Sequence, residues 1–390
     1  MSKGLSYVLV TPYTIAKSRT GGVLSRLLSR TDLELVGAQI FAPDKEFAVS
    51  YGNSLRDRAP SNQLMLLADY AEKNFAPSGG RAHRTLLLLF QGENPCGQLL
   101  NICGHIYTKH VEVDALAGET IRDTYSDLIF STSNPEEVRY FEPAVFTPRS
   151  QEEANRDLLM FADSLHDKEN LVINVEYPDP TLIERTLVII KPDNWKRSSS
   201  RPGAIIDMFS RTGLRIIGIK VHRFSLSEAL DFYGPVEGIL KDKLALSFGQ
   251  KALELLEREF KFKISDDLSG LLGASFGTEC ARDQFHQIVE FMSGKRPGNY
   301  TPQEAQKPGS VKCMILVYEG ENAVNKIRDV LGSTDPLKAA DGTVRKEFGS
   351  NVMVNTAHAS DSQESFEREK DIVRINHNSL VSIIRENISK

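Results

Sequence analysis

Two short apolar runs, each stopped by proline, open the two halves of the chain: residues 7–12 (YVLVTP) and 187–192 (LVIIKP). Uninterrupted aliphatic runs of this length, bounded by a breaker, predict buried strands. The resemblance continues downstream, where VLSRLLSRTDLELVGAQIF in the first half matches AIIDMFSRTGLRIIGIKVHRF in the second at an offset of 181 residues. FQGEN at 90–94 returns as YEGEN at 318–322, and Gly104 as Gly332, now at an offset of 228, so the second half holds 47 extra residues between these landmarks. TIRDTY at 120–125 answers TVRKEF at 343–348. Self-similarity on this scale predicts one structural unit used twice, with one copy expanded.

Each copy reads as strand, helix, strand, helical material, strand, helix and a long loop. In the second, Pro202 opens a helix and Gly213 closes it, the usual asymmetry of helix ends. Ile205, Ile206, Met208 and Phe209 fall on one side of that helix and would pack on the sheet made by LVII and LRIIGIKV. The prediction is an α+β chain of two ferredoxin-like βαββαβ domains, with helices on one face of a mostly antiparallel sheet. Residues 1–150 form the first domain, 151–182 a linker containing a helix (Leu158, Leu159, Phe161, Ala162, Leu165), and 183–390 the second domain. The expansion falls at about 235–308, where LALSFGQKALELLEREF predicts an added amphipathic helix and SGKRPGNYTPQEAQKPGS an exposed loop.

Composition narrows the setting. With 41% hydrophobic and 25% charged residues the chain of 390 is globular, and a net charge of −5 argues against a broad basic face for nucleic acid or an acidic membrane. Cys96, Cys103, Cys280 and Cys313 form no C-x-x-C pair, so neither zinc nor a disulfide framework is expected, and a reducing cytoplasm fits best. The apolar stretch TLLLLF is strand-sized, far short of the roughly 20 residues of a membrane span. The amino terminus meets polar residues and proline too early for a signal peptide.

Among eight histidines, His358 has chemical context. It sits between small residues in NTAHASDS, after a loop that holds Thr334, Asp335, Pro336, Gly342 and Arg345. The run Ser360-Asp361-Ser362-Gln363-Glu364 predicts a helix start, with Glu369 in the third turn. A carboxylate there can fix the imidazole tautomer and leave the other nitrogen as nucleophile. Lys191 at a strand end, Arg328 on the helix after YEGEN, and Arg345 supply the converging positive charge that phosphoryl transfer requires.

At these residues the chain resembles the nucleoside diphosphate kinase family. ERTLVIIKPD, YEGENAVNKIRDVLGSTDP, GTVRKEF and NTAHASDSQESFEREK look like its successive signatures, covering residues 184 to about 371 apart from the insertion. The resemblance implies ping-pong transfer from a nucleoside triphosphate to a nucleoside diphosphate with Mg²⁺ held mainly by the nucleotide phosphates and no dedicated protein metal site. His358 would be the phosphorylated nucleophile, Glu369 its orienting partner and Ser360 a supporting hydrogen-bond donor. Lys191, Arg345 and Asn355 would hold the phosphate and sugar region, Arg328 and Thr334 the β-phosphate side. Tyr233 aligns loosely with a tyrosine near the γ-phosphate, and Phe285 is nearest to the base-stacking position, although Gln284 aligns there most simply. The family also implies a homo-oligomer, with the two copies here packed as a pseudo-dimer.

Departures from the family pattern are informative. Ala359 stands where the family has glycine, adding a methyl beside the nucleophile. In the first copy Thr11 replaces Lys191, Leu100 replaces Arg328, and Ser131 in FSTSNPE aligns with the histidine; Arg122, the counterpart of Arg345, survives. The first copy is therefore expected to be inactive. The competing reading is a catalytically weak nucleotide-binding scaffold or regulator. An RNA-binding module is disfavoured by the acidic charge and the absence of an aromatic-rich basic strand motif.

Overall fold

The computed structural model describes residues 3–58, 61–107, 118–134, 137–265 and 267–388. Among these residues ten strands occur in chain order: β1 Gly4–Val10, β2 Glu34–Phe41, β3 Thr85–Gly92, β4 Asp127–Phe130, β5 Val138–Glu142, β6 Val145–Phe146, β7 Ile183–Ile190, β8 Arg215–His222, β9 Cys313–Glu321 and β10 Ala357–Ala359. They build two four-stranded antiparallel sheets, β2-β3-β1-β6 and β8-β9-β7-β10, and a β4-β5 hairpin. The two sheets have the same strand order, with the last strand beside the first. The landmarks read from sequence recur as geometry: Asn94 and Asn322 both hold left-handed backbone (φ 44° and 53°), and Gly104 and Gly332 end the following helices at φ 83° and 84°.

The chain folds as two compact units, Met1–Val221 with Met314–Lys370 and Arg374–Lys390, and His222–Cys313 with Asp371–Val373. The first unit holds both sheets. Its inner core joins Val8, Val10, Leu86 and Leu88 of the first sheet to Val188, Ile190, Met314 and Leu316 of the second through helices Thr20–Ser29 and Arg201–Ser210. These helices meet at glycine: a Cβ on Gly203 would lie 2.3 Å from the Ser25 nitrogen and 2.4 Å from the Gly21 carbonyl oxygen. The predicted helix with Pro202 at its start and Gly213 after its end is present, and Ile205, Ile206, Met208 and Phe209 are buried.

One expectation changes. Helices cover both faces of the first sheet, because β3 is buried at every position from Thr85 to Phe90 and therefore has no solvent face. The outer layer consists of Lys45–Arg56, Asn62–Asn74, Gln151–Leu165 and the carboxyl-terminal helix Leu380–Ile388. The helix read from sequence as part of a linker, Gln151–Leu165, packs edge-on through Phe161 against Tyr7 of β1 (5.1 Å between centroids). Beneath it Asp157 accepts hydrogen bonds from Tyr7, Ser54 and Arg58, a fully buried polar cluster.

The second unit is helical. The predicted insertion helix is longer than its apolar pattern: Leu226–Phe260 runs 35 residues, starts from a Ser225/Glu228 capping box and contains Pro235. It packs against Thr278–Ser293 within this unit. No helix among the described residues is long and apolar enough to cross a membrane, and all four cysteines are free thiols.

Candidate active site

The site is built where β10 pairs with β7. Strand register sets His358 opposite Ile189, with Ala357 and Ala359 opposite Ile190 and Val188. Successive strand residues face opposite sides, so Ala357 and Ala359 enter the inner core while the imidazole projects from the other face. The Ala359 methyl is thus directed away from the ring, not beside it. Thr356 precedes the strand at φ 74°, a conformation costly for a β-branched residue. Its hydroxyl accepts from Arg201 (2.9 Å) and its carbonyl accepts from the Lys191 backbone N–H and the Asn194 side chain, which hold it there.

The next helix begins at Gln363, slightly later than predicted, which puts Glu369 in its second turn. Glu369 is 3% exposed. Its Oε1 lies 3.0 Å from His358 Nε2 and its Oε2 accepts from Ser360 Oγ at 2.7 Å. Ser360 is tied in turn to Leu187 of β7, whose backbone N–H donates to its hydroxyl. A carboxylate accepting at Nε2 fixes the proton there, which makes Nδ1 the basic, nucleophilic nitrogen. The ring is 23% exposed and so open to a reactant.

Lys191 follows β7 directly and is 8% exposed. Its Nζ donates to Asn355 Oδ1 at 2.7 Å, while the Asn355 amide donates to the carbonyls of Thr334 and Val352. Burial first, and the Arg345 charge second, push the lysine down from 10.5 to about 8, against a partial pull upward from Asp193. Arg345 donates to the carbonyls of Gly332 and Ala357 at 3.1 Å each and to Thr334 Oγ1 at 3.4 Å. The Lys191–Asn355–Thr334–Arg345 group is thus contiguous with the histidine strand. Arg328 lies exposed on helix Ala323–Leu331, and its charge helps hold the Asp361 carboxyl below the usual range, after the larger effect of the Ser365 hydroxyl.

Tyr233 and Phe285 belong to the helical unit and are buried within it, Tyr233 against Phe232 at 5.0 Å and Phe285 on helix Thr278–Ser293. Sequence reading passed over Asp193 and Arg201. Asp193 is half-buried with its side chain 5% exposed, is paired with Arg201 at 3.5 Å, and its carboxyl is pushed up by desolvation. The KPD triplet was the available signal: an acid two residues after the buried lysine. Among the described residues no three His, Cys, Asp or Glu side chains converge as a metal cage.

The first sheet shows the same frame with different chemistry. Arg122 donates to the carbonyls of Gly104 and Val145, as Arg345 does to Gly332 and Ala357. Val145 and Phe146 of β6 pair with Val10 and Leu9 of β1, so Phe146 occupies the register position of His358. The alignment of Ser131 with the histidine is therefore corrected: Ser131 follows β4 of the hairpin, where it bonds Ser133. Phe146 is sealed beneath Tyr51, Tyr70 and Phe75, at centroid distances of 5.9, 6.0 and 5.2 Å.

Residues 184–240 and 277–377 match the sequence model of the nucleoside diphosphate kinase family. A nucleoside diphosphate kinase of Anaeromyxobacter sp. (strain Fw109-5) is 32% identical over 182 residues, which span 47% of this chain and 83% of that protein. Nucleoside diphosphate kinase 2 of Protochlamydia amoebophila (strain UWE25) is 30% identical over 187 residues, 48% of this chain and 88% of that one. Residues 241–276, inside the helical unit, fall outside the family match.

Proposed function

The chain belongs to the nucleoside diphosphate kinase family, and from that premise we propose that it moves the terminal phosphoryl group of a nucleoside triphosphate to a nucleoside diphosphate through phosphorylated His358. The observation that carries this reading is the buried chain Ser360–Glu369–His358, set in a strand beside Lys191. The Nδ1 lone pair attacks the γ-phosphorus, the bond from that phosphorus to the β,γ-bridging oxygen breaks, and the diphosphate leaves with the electron pair. A second diphosphate then attacks the phosphohistidine through a terminal oxygen and restores the neutral ring. Positive charge on His358 in the first step is met by Glu369, itself steadied by the Ser360 hydroxyl; such preorganised donors and charges are worth several kcal/mol in a site shielded from water.

Lys191, Arg345 and Asn355 would bind the transferring phosphate and sugar, and Arg328 and Thr334 the β-phosphate. Tyr233 and Phe285 are proposed as γ-phosphate and base contacts on the resemblance alone. Mg²⁺ would supply charge neutralisation to the nucleotide phosphates, held mainly through those phosphates and water. We read the two sheets as ferredoxin-like copies of one domain, residues 1–150 inactive and 183–390 catalytic, packed as a pseudo-dimer within a larger homo-oligomer. Phe146 at the histidine position and the apolar cover over it support the inactive assignment.

Incubation with γ-labelled ATP and Mg²⁺ should place acid-labile label on the full chain, and a panel of nucleoside diphosphates should remove it. A His358→Gln chain that labels equally would overturn the assignment, as would a labelled wild type that passes its phosphoryl group to no diphosphate.

A further inference from the structure

A cavity of about 190 Å³ lies within the first unit, between the two sheets and away from His358. The segment carrying Ser18 and Thr20, Arg84 ahead of β3, Arg215 at the start of β8 and Tyr318 of β9 all line it. Thr20 and Tyr318 are 3% and 1% exposed, yet Thr20 Oγ1, Tyr318 Oη and Arg215 Nε have no hydrogen-bond partner among the described residues. Buried polar groups are rarely left this way, because each costs roughly 1–3 kcal/mol. All three can donate. Burial keeps the Tyr318 phenol protonated, raising it above its ordinary value.

The charge points the same way. Arg84 and Arg215 both line this space, and among the described residues no carboxylate does. Burial and the charge of Arg215 push Arg84 down to about 10. The neighbouring Glu319 is already engaged by Arg185 at 3.0 Å and Tyr177 at 3.1 Å. Arg84 spends one donor on the Ile216 carbonyl, and Arg215 one on Asn174 Oδ1. Arg84 and Arg215 thus line the cavity with guanidinium donors to spare, together with Thr20 and Tyr318 and their unsatisfied hydroxyls. Ligand pockets for molecules of drug or nucleotide size run to about 300 Å³ and above, so the volume selects a small ion.

We propose that this cavity binds an inorganic tetrahedral oxyanion of the phosphate class. Several oxygens in one ion can accept from separated donors at once, which a halide cannot do as well. Thr20 and Arg84 come from the first copy, Arg215 and Tyr318 from the second, so the ion cross-links the pseudo-dimer and binds only when the two are packed. The site is independent of the kinase reading, since none of its residues is shared with the His358 site.

The test uses the full chain, with thermal unfolding and calorimetric titration of inorganic phosphate, sulfate, and chloride at matched ionic strength. Phosphate and sulfate should raise the unfolding midpoint saturably and chloride should not. The rise should persist with ADP and Mg²⁺ held at saturation. Tyr318→Phe and Thr20→Val keep shape and remove one donor each, and each should weaken phosphate about tenfold, the factor for one hydrogen bond to a charged group. A phosphate effect that disappears under saturating ADP would place the ion at the nucleotide site and overturn the proposal. Equal phosphate affinity in both variants, or no saturable effect in the wild type, would do the same.

Discussion

Lys191→Arg should remove a pH dependence of nucleotide binding that the wild type possesses. The buried ammonium of Lys191 stands at about 8 against an ordinary 10.5, held down by desolvation and by Arg345. At ~1.4 kcal/mol per pH unit, the fold disfavours its charged form by about 3 kcal/mol. A bound phosphate adds negative charge beside Lys191 and draws the lysine back toward its ordinary value, so binding takes up a proton once the free protein has lost one. Affinity for a non-hydrolysable nucleoside triphosphate, which carries the phosphate assigned to Lys191, should be level below pH ~7 and weaken from about 8 upward, by nearly tenfold per pH unit before the bound state itself titrates. Arginine stays protonated throughout, so the variant should lack this slope.

Stability has the opposite sign. Between about 8 and 10.5 the unfolded chain, with its lysine at the ordinary value, binds more protons than the folded one, so stability rises with pH across that window. Below about 8 the full cost of burying the charge is present. Calorimetric titration of the non-hydrolysable triphosphate at several pH values, each in two buffers of different protonation heat, measures both affinity and proton uptake; chemical denaturation of the ligand-free chain gives the stability limb. A level affinity from pH 7 to 10, or an identical slope in Lys191→Arg, would show that Lys191 is not titrating as its surroundings require.

Three further outcomes follow from the packing and the site. Glu369→Ala should lower turnover by about a hundredfold or more while changing nucleotide affinity little, because it orients the ring instead of touching the nucleotide; steady-state kinetics with direct binding would expose a loss confined to affinity. Arg58→Met removes the buried cation of the fully buried Asp157, leaving it the half-exposed Arg156 at 4.0 Å, and should cost about 3–5 kcal/mol in urea denaturation; a change below ~1 kcal/mol would mean that Arg156 and the Tyr7 and Ser54 hydroxyls suffice. Gly203→Ala forces a methyl against the Ser25 and Gly21 backbone and should cost about 1–3 kcal/mol, read as a lower denaturation midpoint; unchanged stability would mean that the helix pair is loose.

Much of this arrangement was legible because it is local. The proline-stopped strands, the left-handed Asn94 and Asn322, and the helix-ending Gly104 and Gly332 are backbone demands that a short motif must satisfy. The His358–Glu369 pairing is nearly local too, eleven residues apart on a strand and the helix after it. Legibility failed where pairing is long-range. β6 joins β1 across more than a hundred residues, and a hairpin precedes it, so a comparison along the sequence stopped at Ser131 and missed Phe146. The Arg58–Asp157 bond spans 99 residues, and nothing in the amphipathic stripe of helix Gln151–Leu165 announces which sheet it covers.

The contrast between the copies separates two demands on one frame. Arg345 and Arg122 make the same pair of carbonyl contacts, joining the end of a helix to the last strand of the sheet, and so each contributes to the frame whatever chemistry sits beside it. The positions that differ are those that would meet phosphate: Thr11 for Lys191, Leu100 for Arg328, Phe146 for His358. Once the histidine position is aromatic, the face it occupies gains by being buried, and helices Lys45–Arg56 and Asn62–Asn74 bring Tyr51, Tyr70 and Phe75 over it. Replacement of the histidine by an aromatic residue and growth of the outer layer are thus physically coupled. A face that must admit a nucleotide has to stay open, and a face released from that duty can become core.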